Sequence, residues 1–523
     1  MSAMSRALPS AAMHNATFDL KMLWATYGES SGVREASVAD TQLLEQMLRN
    51  GRRTDVVMQG FGLKALAERY AGMELDKTIR QGFYGIRSLS ELSATELYYA
   101  ARDVEATWKV FAQQLPEVAR DGLTRAAGVE CAAANAFAEL ELKGFAIDRE
   151  AWSQRIAQSK ADLSEAKKAL DYEFRTVADR DLFGATTLNY DDDQEVLSAL
   201  KRLGVEVPSV QRRSLLGSGH PASLAVASYR EHRKWVSTYG EGFLAHVHEV
   251  TGRVHARFKS IGASTGRTAC SEPNLQNIPS ESDFRGSFVA PPGRKLLTAD
   301  YAGAELRILA EMSKDPVFLE AFGRGEDLHA KVAKRLFQRE VSKTDNPELR
   351  ERAKAINFGL AYGMSAAGLA AELDISERDA RELLEAHFRA FPKIRSFLDE
   401  ASQQALRRGF AETLTGRRMW FTDMRREGKD EASLVRIAKN MPIQGTNADM
   451  TKLAMSRFSR EAARRGLDAF LVNMVHDELV VECDESQAEV VTEVLKRSMI
   501  SAGAELLRSV PVEVDVSIGS SWC

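Results

Sequence analysis

Cysteine is scarce. The chain holds four, Cys131, Cys270, Cys483 and Cys523, far apart and with no CxxC pair. That spacing argues against a zinc site or a disulfide framework and suits a reducing cytosol. Long apolar runs are missing as well. No stretch approaches the roughly 18 to 20 residues that span a bilayer, so no membrane partner is expected. No charge of one sign dominates: the formal net charge is −4. Such a value does not advertise a nucleic-acid binder, but binding depends on where basic residues cluster, not on their sum. Internal repeats and low-complexity segments are also lacking. The first 18 residues, "MSAMSRALPSAAMHNATF", carry an arginine and no acid, a faint likeness to an organelle transit peptide. Their apolar content is too short and broken for a secretory signal. The expectation is a ragged N-terminus, cytoplasmic localisation and no organelle targeting.

What is present is ordinary for a globular protein: 523 residues, 44% hydrophobic and 28% charged, enough for several domains and at least one large core. Residues 1 to about 118 mix short apolar runs with helical patterns, as in an α/β domain. From about 119 to 250 the chain is mostly helical, and from 251 to 293 it is turn-rich. An apolar strand, "KLLTAD", comes next, then a helical block from about 304 to 410. Near the end, "VPVEVDVSIG" alternates strictly through Val510, Val512, Val514, Val516 and Ile518, the pattern of a half-buried strand. Strands that bracket a helical insertion indicate an α+β multidomain chain whose sheet domain is left and re-entered.

Three stretches suggest chemistry. In "FLVNMVHDELVVEC", Phe470 to Val475 and Leu479 to Cys483 read as paired apolar strands whose junction is His476, Asp477 and Glu478. Adjacent carboxylates repel unless a cation or proton lies between them. In "LLTADYAGAELRIL" a buried strand ends at Asp300, and a helix starts with Glu305 in its first turn. Carboxylates on neighbouring strand ends could hold divalent cations, Mg²⁺ above all, in a phosphoryl-transfer site. Taken singly, each segment reads more readily as a strand end, a helix start or a turn than as a metal site. In "NPELRERAKAINFGLAYGMS", Arg350, Lys354, Phe358 and Tyr362 recur every four residues along one helix face. Two cations one turn apart can hold a polyphosphate, and the next ring can stack on a sugar or base.

"TADYAGAELRILA", "RERAKAINFGLAYG" and "MVHDELV" resemble the three polymerase motifs of family A DNA polymerases, the group of bacterial DNA polymerase I and many phage replicases. "STGRTACSEPNLQNIP", "ETLTGRRMWF" and "RIAKNMPIQGTNADM" are similar to further segments of that family, in family order, from about residue 120 to the C-terminal "SSW". The resemblance implies a right-hand fold: a thumb over 119–250 with the start of the palm, palm over 251–312 and 430–523, and fingers over 313–429. It implies Asp300 and Asp477 as metal ligands, with the carbonyl of Tyr301 assisting, for two Mg²⁺ ions (Mn²⁺ substituting), and Glu478 in a secondary place. Arg350, Lys354 and His329 are implied to bind the incoming dNTP, with Phe358 against its sugar and Tyr362 near its base. Glu305 corresponds to the family's steric gate against ribose. For primer–template DNA the implied contacts are Arg233 and Lys234 in the thumb, Arg267, Asn274 and Gln276, Arg436, Asn440 and Gln444, and His476 at the primer end. A monomer acting in replication or repair is expected.

Departures from the family pattern fall at Ala302-Gly303, at Thr268-Ala269-Cys270 and at Met474. They bear on sugar discrimination and fidelity, and none removes a metal ligand. "HNATFDL" and "YYAARDVEATW" are similar to the second and third motifs of the 3′–5′ exonuclease domain of these polymerases. By that likeness Asp19 and Asp103 are metal ligands and Tyr99 orients the attacking water. No acidic residue precedes Asp19, so the leading carboxylate pair of that activity is missing and proofreading is expected to be absent or very weak. The competing readings are a decayed DNA-binding scaffold, an exonuclease completed by another chain, and a single-subunit RNA polymerase. Intact Asp300, Lys354 and Asp477 oppose the first, and Glu305 beside Phe358 opposes the last.

Overall fold

The computed structural model describes residues 11–28, 32–52, 60–179, 186–279, 284–361, 363–373, 375–421, 423–424 and 430–522. The chain divides into two compact units: residues 1–144, 256–276 and 290–520, and residues 145–255, 277–289 and 521–523.

The larger unit begins with two three-residue strands, β1 (Ala11–Met13) and β2 (Val38–Asp40), paired in parallel. Between them runs α1 (Ala16–Tyr27). Helix α2 (Ala94–Arg120) starts at a capping box, in which Ser93 Oγ accepts the Glu96 N–H and Glu96 accepts the Ser93 N–H. Among its described residues this N-terminal region is mostly helical, with less strand than its apolar runs suggest. Helix α3 (Thr124–Lys143) is buried almost all round and stops at Gly144, whose φ is 63°.

The main sheet has the order β4-β5-β3-β6, antiparallel throughout: β3 (Arg294–Tyr301), β4 (Ala469–Val475), β5 (Glu478–Asp484) and β6 (Val514–Gly519). The β4–β5 hairpin, at one side of the sheet, is apolar on both faces; Leu471, Leu479, Val480, Val481 and Cys483 have no exposure. Each such side chain contributes about 1.5–3 kcal/mol on burial. A bulge between Leu471 and Asn473 shifts the register of the pair. The alternation in β6 fades outward: Val514 is 3% exposed and Ile518 48%. β6 is an edge strand whose last residues have no cover, whereas the other edge strand, β4, is covered by α3 and by the helix Glu431–Arg464 and is buried throughout.

After β3 come α4 (Ala304–Ser313), α5 (Leu328–Phe337), α6 (Pro347–Ala361) and α7 (Glu377–Ala390). Gly303 opens α4 with φ 67°, the left-handed region that glycine enters without steric penalty. That accounts for the glycine departure beside Glu305. The long α8 (Glu431–Arg464) starts at Asp430, which accepts the Ser433 N–H at 2.6 Å, and α9 (Ala488–Leu506) follows β5. Val491, Val494, Leu495, Met499 and Ala502 form the fully buried stripe of α9. Helices α3 and α8 pack on β4, α9 packs on β3 and β6, and α8 packs on both α3 and α9. No helix among the described residues is long and apolar enough to cross a membrane. The three described cysteines are free and buried.

The smaller unit is built on the helices Arg149–Glu173 and Pro221–Tyr239. Its aromatic core includes Trp152 stacked on Phe243 at 4.3 Å and Phe145 against Phe288 at 4.8 Å.

Candidate active site

Asp300 stands at the end of β3, in register with Glu478 on β5 on one side and Asp515 on β6 on the other. Asp477 precedes Glu478 in the two-residue turn that closes the β4–β5 hairpin. His476, the first turn residue, has φ 57°, the backbone of a II′ hairpin turn. The residue facing Asp300 across the ladder is thus Glu478, with Asp477 one position earlier. Burial and the neighbouring Asp477 and Glu478 push the Asp300 carboxyl up to about 7. Burial also raises Asp477, while Arg267, His476 and a hydrogen bond from Asn447 oppose that rise. Tyr301 turns its ring inward, its hydroxyl donating to the Met499 carbonyl at 2.8 Å.

Among the described residues no group of three or more His, Cys, Asp or Glu side chains is already arranged around a metal position. The donor set nevertheless suits a hard divalent cation. Hard oxygen donors are concentrated at one strand end, and their mutual repulsion, which adds to burial in raising Asp300, is what a cation relieves.

Around the carboxylates, Arg267, Gln276, Asn447, Met474 and His476 line one crevice. Arg267 donates to Glu305 Oε1 at 2.6 Å, and Glu305 is 5% exposed. Gln276 donates to the Met474 carbonyl at 3.3 Å and lies 3.2 Å from its sulfur, which gives the Met474 departure a partner. Asn274 is exposed and caps the Gln276 N–H through Oδ1. In the other departure, Cys270 is buried in a hairpin with Phe258, and its thiol donates to the Pro273 carbonyl. On α8, Arg436, Asn440 and Gln444 share one face. The Asn440 side-chain oxygen is buried without a hydrogen bond among the described residues.

The cation-and-aromatic row lies on α6, which packs against α4 and α8. Arg350 is held by Asp327 at 2.8 Å and Glu351 at 2.9 Å, whereas Lys354 is 47% exposed with Glu351 at 3.5 Å. Tyr362 lies outside the described residues. Phe358 meets the His329 ring at 5.7 Å. Asn357 Nδ2 donates to His329 Nδ1 at 3.1 Å, and His387 Nε2 donates to Asn357 Oδ1 at 3.3 Å. With Nδ1 accepting, His329 carries its proton on Nε2. Burial lowers its pKa to about 4, so it is a neutral donor at pH 7. Arg233, with Asp191 at 2.6 Å, and the exposed Lys234 belong to the smaller unit.

Asp515, Asn447, Asn357 and His387 escaped the sequence reading. Asp515 left a trace as an acid on the polar side of an alternating strand. Asn447 and Asn357 lie inside motifs already singled out, and His387 leaves no local signal.

In the N-terminal region a cleft of about 1240 Å³ is lined by Asp19 and Asp103 together with His14, Lys64, Lys77 and Arg80. Burial and the nearby Asp40 push Asp19 up to about 6. Asp40 is occupied structurally: its oxygens accept N–H groups of Asn15, Ala16, Gln42 and Leu43 at 2.7–3.3 Å. Tyr99 is buried, and its hydroxyl accepts from Arg80 at 2.9 Å.

A sheet with carboxylates on adjoining strand ends, in one unit with a helix that aligns cations and aromatics along one face, suits a nucleic-acid polymerase. Similarity to known proteins gives the family. DNA polymerase family A matches residues 186–523, and a 3′-5′ exonuclease family matches residues 2–119. The chain belongs to DNA polymerase family A. It is 34% identical to DNA polymerase I of Chloroflexus aurantiacus over 97% of its length, spanning 54% of that protein. It is 32% identical to DNA polymerase I of Aquifex aeolicus, covering 97% of this chain and 87% of that one. The POL domain of Pol1 from M. smegmatis, solved in complex with DNA primer-template and dNTP, aligns with a TM-score of 0.78 at 30% identity. That match covers 93% of this chain and 82% of that one.

Proposed function

We propose that the chain is a template-directed DNA polymerase that adds deoxynucleotides to a primer 3′-hydroxyl and releases pyrophosphate. One observation carries this reading: Asp300 faces Glu478 in register, with Asp477 at the adjoining turn, and the crowded Asp300 is raised to about 7. Asp300, Asp477 and the Tyr301 carbonyl would hold divalent cations, with Glu478 beside them. Two Mg²⁺ ions, or Mn²⁺ in their place, would supply a more acidic 3′-hydroxyl and neutralise charge on the leaving pyrophosphate. Arg350 and Lys354 bind the triphosphate, and His329 donates Nε2–H to it. Phe358 packs on the sugar, and Tyr362 completes the base pocket. Glu305 crowds a ribose 2′-hydroxyl and so selects deoxynucleotides.

Duplex contacts come from Arg267, Asn274, Gln276, Arg436, Asn440, Gln444 and His476. They touch acceptors common to all correct pairs and so test shape rather than sequence. Arg233 and Lys234 grip phosphates. The palm is assigned to 251–312 and 430–523, the fingers to 313–429 and the thumb to 119–250. The chain works as a monomer in a bacterial or phage-infected cytoplasm, on primer–template DNA and dNTPs, in replication or repair.

Proofreading is weak or absent. In support, the cleft presents two carboxylates among the described residues, Asp40 is committed to backbone N–H groups, and Tyr99 is held by Arg80. Primer extension with Mg²⁺ and dNTPs, beside rNTPs, tests both readings in wild type and Asp477→Asn. Equal extension by the two proteins sinks the metal-ligand role. Shortening of a labelled primer without nucleotides overturns the claim about proofreading.

A further inference from the structure

Four charged side chains, Glu130 on α3, Arg417 in the Phe410–Trp420 hairpin, and Asp449 and Lys452 on α8, are each 2% exposed or less. Together they are neutral and almost fully paired. Lys452 spends its three ammonium protons on both Glu130 oxygens, at 2.9 Å each, and on the Gly266 carbonyl at 2.8 Å. Arg417 donates to Asp449 at 2.7 Å and also to Glu130. Thr413 donates to Asp449 at 2.9 Å, as does Thr415, and Ser260 donates to Glu130. Such a quartet is weak as a source of stability, since well-packed apolar residues of the same volume often do as well. What apolar residues cannot supply is fixed direction.

The direction here is toward one loop. Gly266 has φ 89°, and a Cβ on it would lie 2.8 Å from Arg417 Nε, so the guanidinium packs against the bare glycine. The loop closes on itself: Gly262 and Ala263 donate to the Arg267 carbonyl at 2.9 and 3.0 Å, and Gly266 donates to Ala263 at 2.9 Å. The backbone of Arg267 is therefore held from both sides, by its own loop and, one residue earlier, by Lys452. The Arg267 guanidinium reaches Glu305 at 2.6 Å.

We propose that Lys452, with Glu130, Arg417 and Asp449, is a positioning residue that sets the Arg267–Glu305 pair and thereby the discrimination between deoxy- and ribonucleotides. The inference rests on the reading of Glu305 as the sugar gate. Burial lowers the Lys452 pKa to about 8, against the pull of Glu130, so the ammonium persists at neutral pH.

The test is single-nucleotide insertion by the full chain, read as kcat/KM for dNTP over kcat/KM for rNTP. This ratio cancels the fraction of active enzyme, so simple destabilisation does not move it. Lys452→Met removes the donor to Gly266. Gly266→Ala displaces the loop by pressing its methyl on the Arg417 guanidinium, without removing a charge, and it serves where Lys452→Met does not fold. Each is expected to lower the ratio about tenfold, short of the roughly 100-fold that a misplacement of about 1 Å can cost. In a Glu305→Ala background neither should lower it further. Glu45→Gln, in the separate buried cluster with Arg49 and Arg69, should leave the ratio unchanged. A lowered ratio in Glu305→Ala with unchanged ratios in Lys452→Met and Gly266→Ala overturns the positioning role alone. An unchanged ratio in Glu305→Ala overturns the gate reading and the inference built on it.

Discussion

Replacing His387 by leucine tests the fingers relay quantitatively. His387 is wholly buried on α7 and gives its Nε2–H to Asn357 Oδ1 at 3.3 Å. Leucine removes that donor and leaves a buried amide oxygen dry, a loss of about 1–3 kcal/mol at pH 7. Burial lowers the His387 pKa from its ordinary 6.5 to about 3. The unfolded chain therefore takes up a proton that the folded chain refuses, and acid favours unfolding. The stability tied to this residue is complete above pH 6.5. It drains at about 1.4 kcal/mol per pH unit as the pH falls toward 3. By pH 5 the wild type has lost about 2 kcal/mol through His387 that the leucine variant never loses. The gap between the two proteins at pH 7 thus closes or reverses by pH 5. Denaturant melts of both at pH 5, 6 and 7 measure it, and taking the difference cancels the other titrating groups. A gap that stays constant over that range refutes the buried neutral histidine. The same relay makes His329 a neutral donor, so KM for dNTP should stay flat from pH 6 to 8 and rise in His387→Leu. A wild-type KM that climbs through pH 6.5 would mean an imidazolium holds the phosphates.

Asp300→Asn removes one member of the carboxylate crowd. It should abolish extension while the metal-free protein melts no lower than wild type, and added Mg²⁺ should no longer raise the melting temperature. A large loss of metal-free stability refutes the account of Asp300 as a repelled carboxylate. Primer–template affinity should fall steeply with salt, and Arg233→Ala with Lys234→Ala should flatten log Kd against log salt by about two counterions' worth of slope. An unchanged slope removes those residues from the phosphate grip.

The β4–β5 hairpin was legible because two apolar runs separated by charged residues have few other ways to bury themselves, and the helix face of Arg350, Lys354 and Phe358 was legible because a period of four is local. Which carboxylate faces Asp300 was not. Register is set by the ladder, and the ladder opposes Glu478 and Asp515 to Asp300 although nothing in their spacing says so. The fading of alternation in β6 was likewise hidden, since an edge position depends on strand order. The α/β character read into residues 1–118 is present, among the described residues, as a parallel pair of three-residue strands with α1 between them, while other apolar runs form helix turns, which they suit as well as strands.

By itself the sequence determined the family resemblance, the strand and helices that carry Asp300, Glu305 and Lys354, and the hairpin whose turn carries Asp477. These depend on residue type and near-neighbour spacing. Only the tertiary structure decided that Glu130, Gly266, Arg417, Asp449 and Lys452 meet, and that His387 reaches His329 through Asn357. Apart from Asp449 and Lys452, one turn apart on α8, those partners lie tens to hundreds of residues apart. Their pairing is enforced by the need of a buried charge or amide to find a partner once water is gone, a requirement that exists only after the chain has folded.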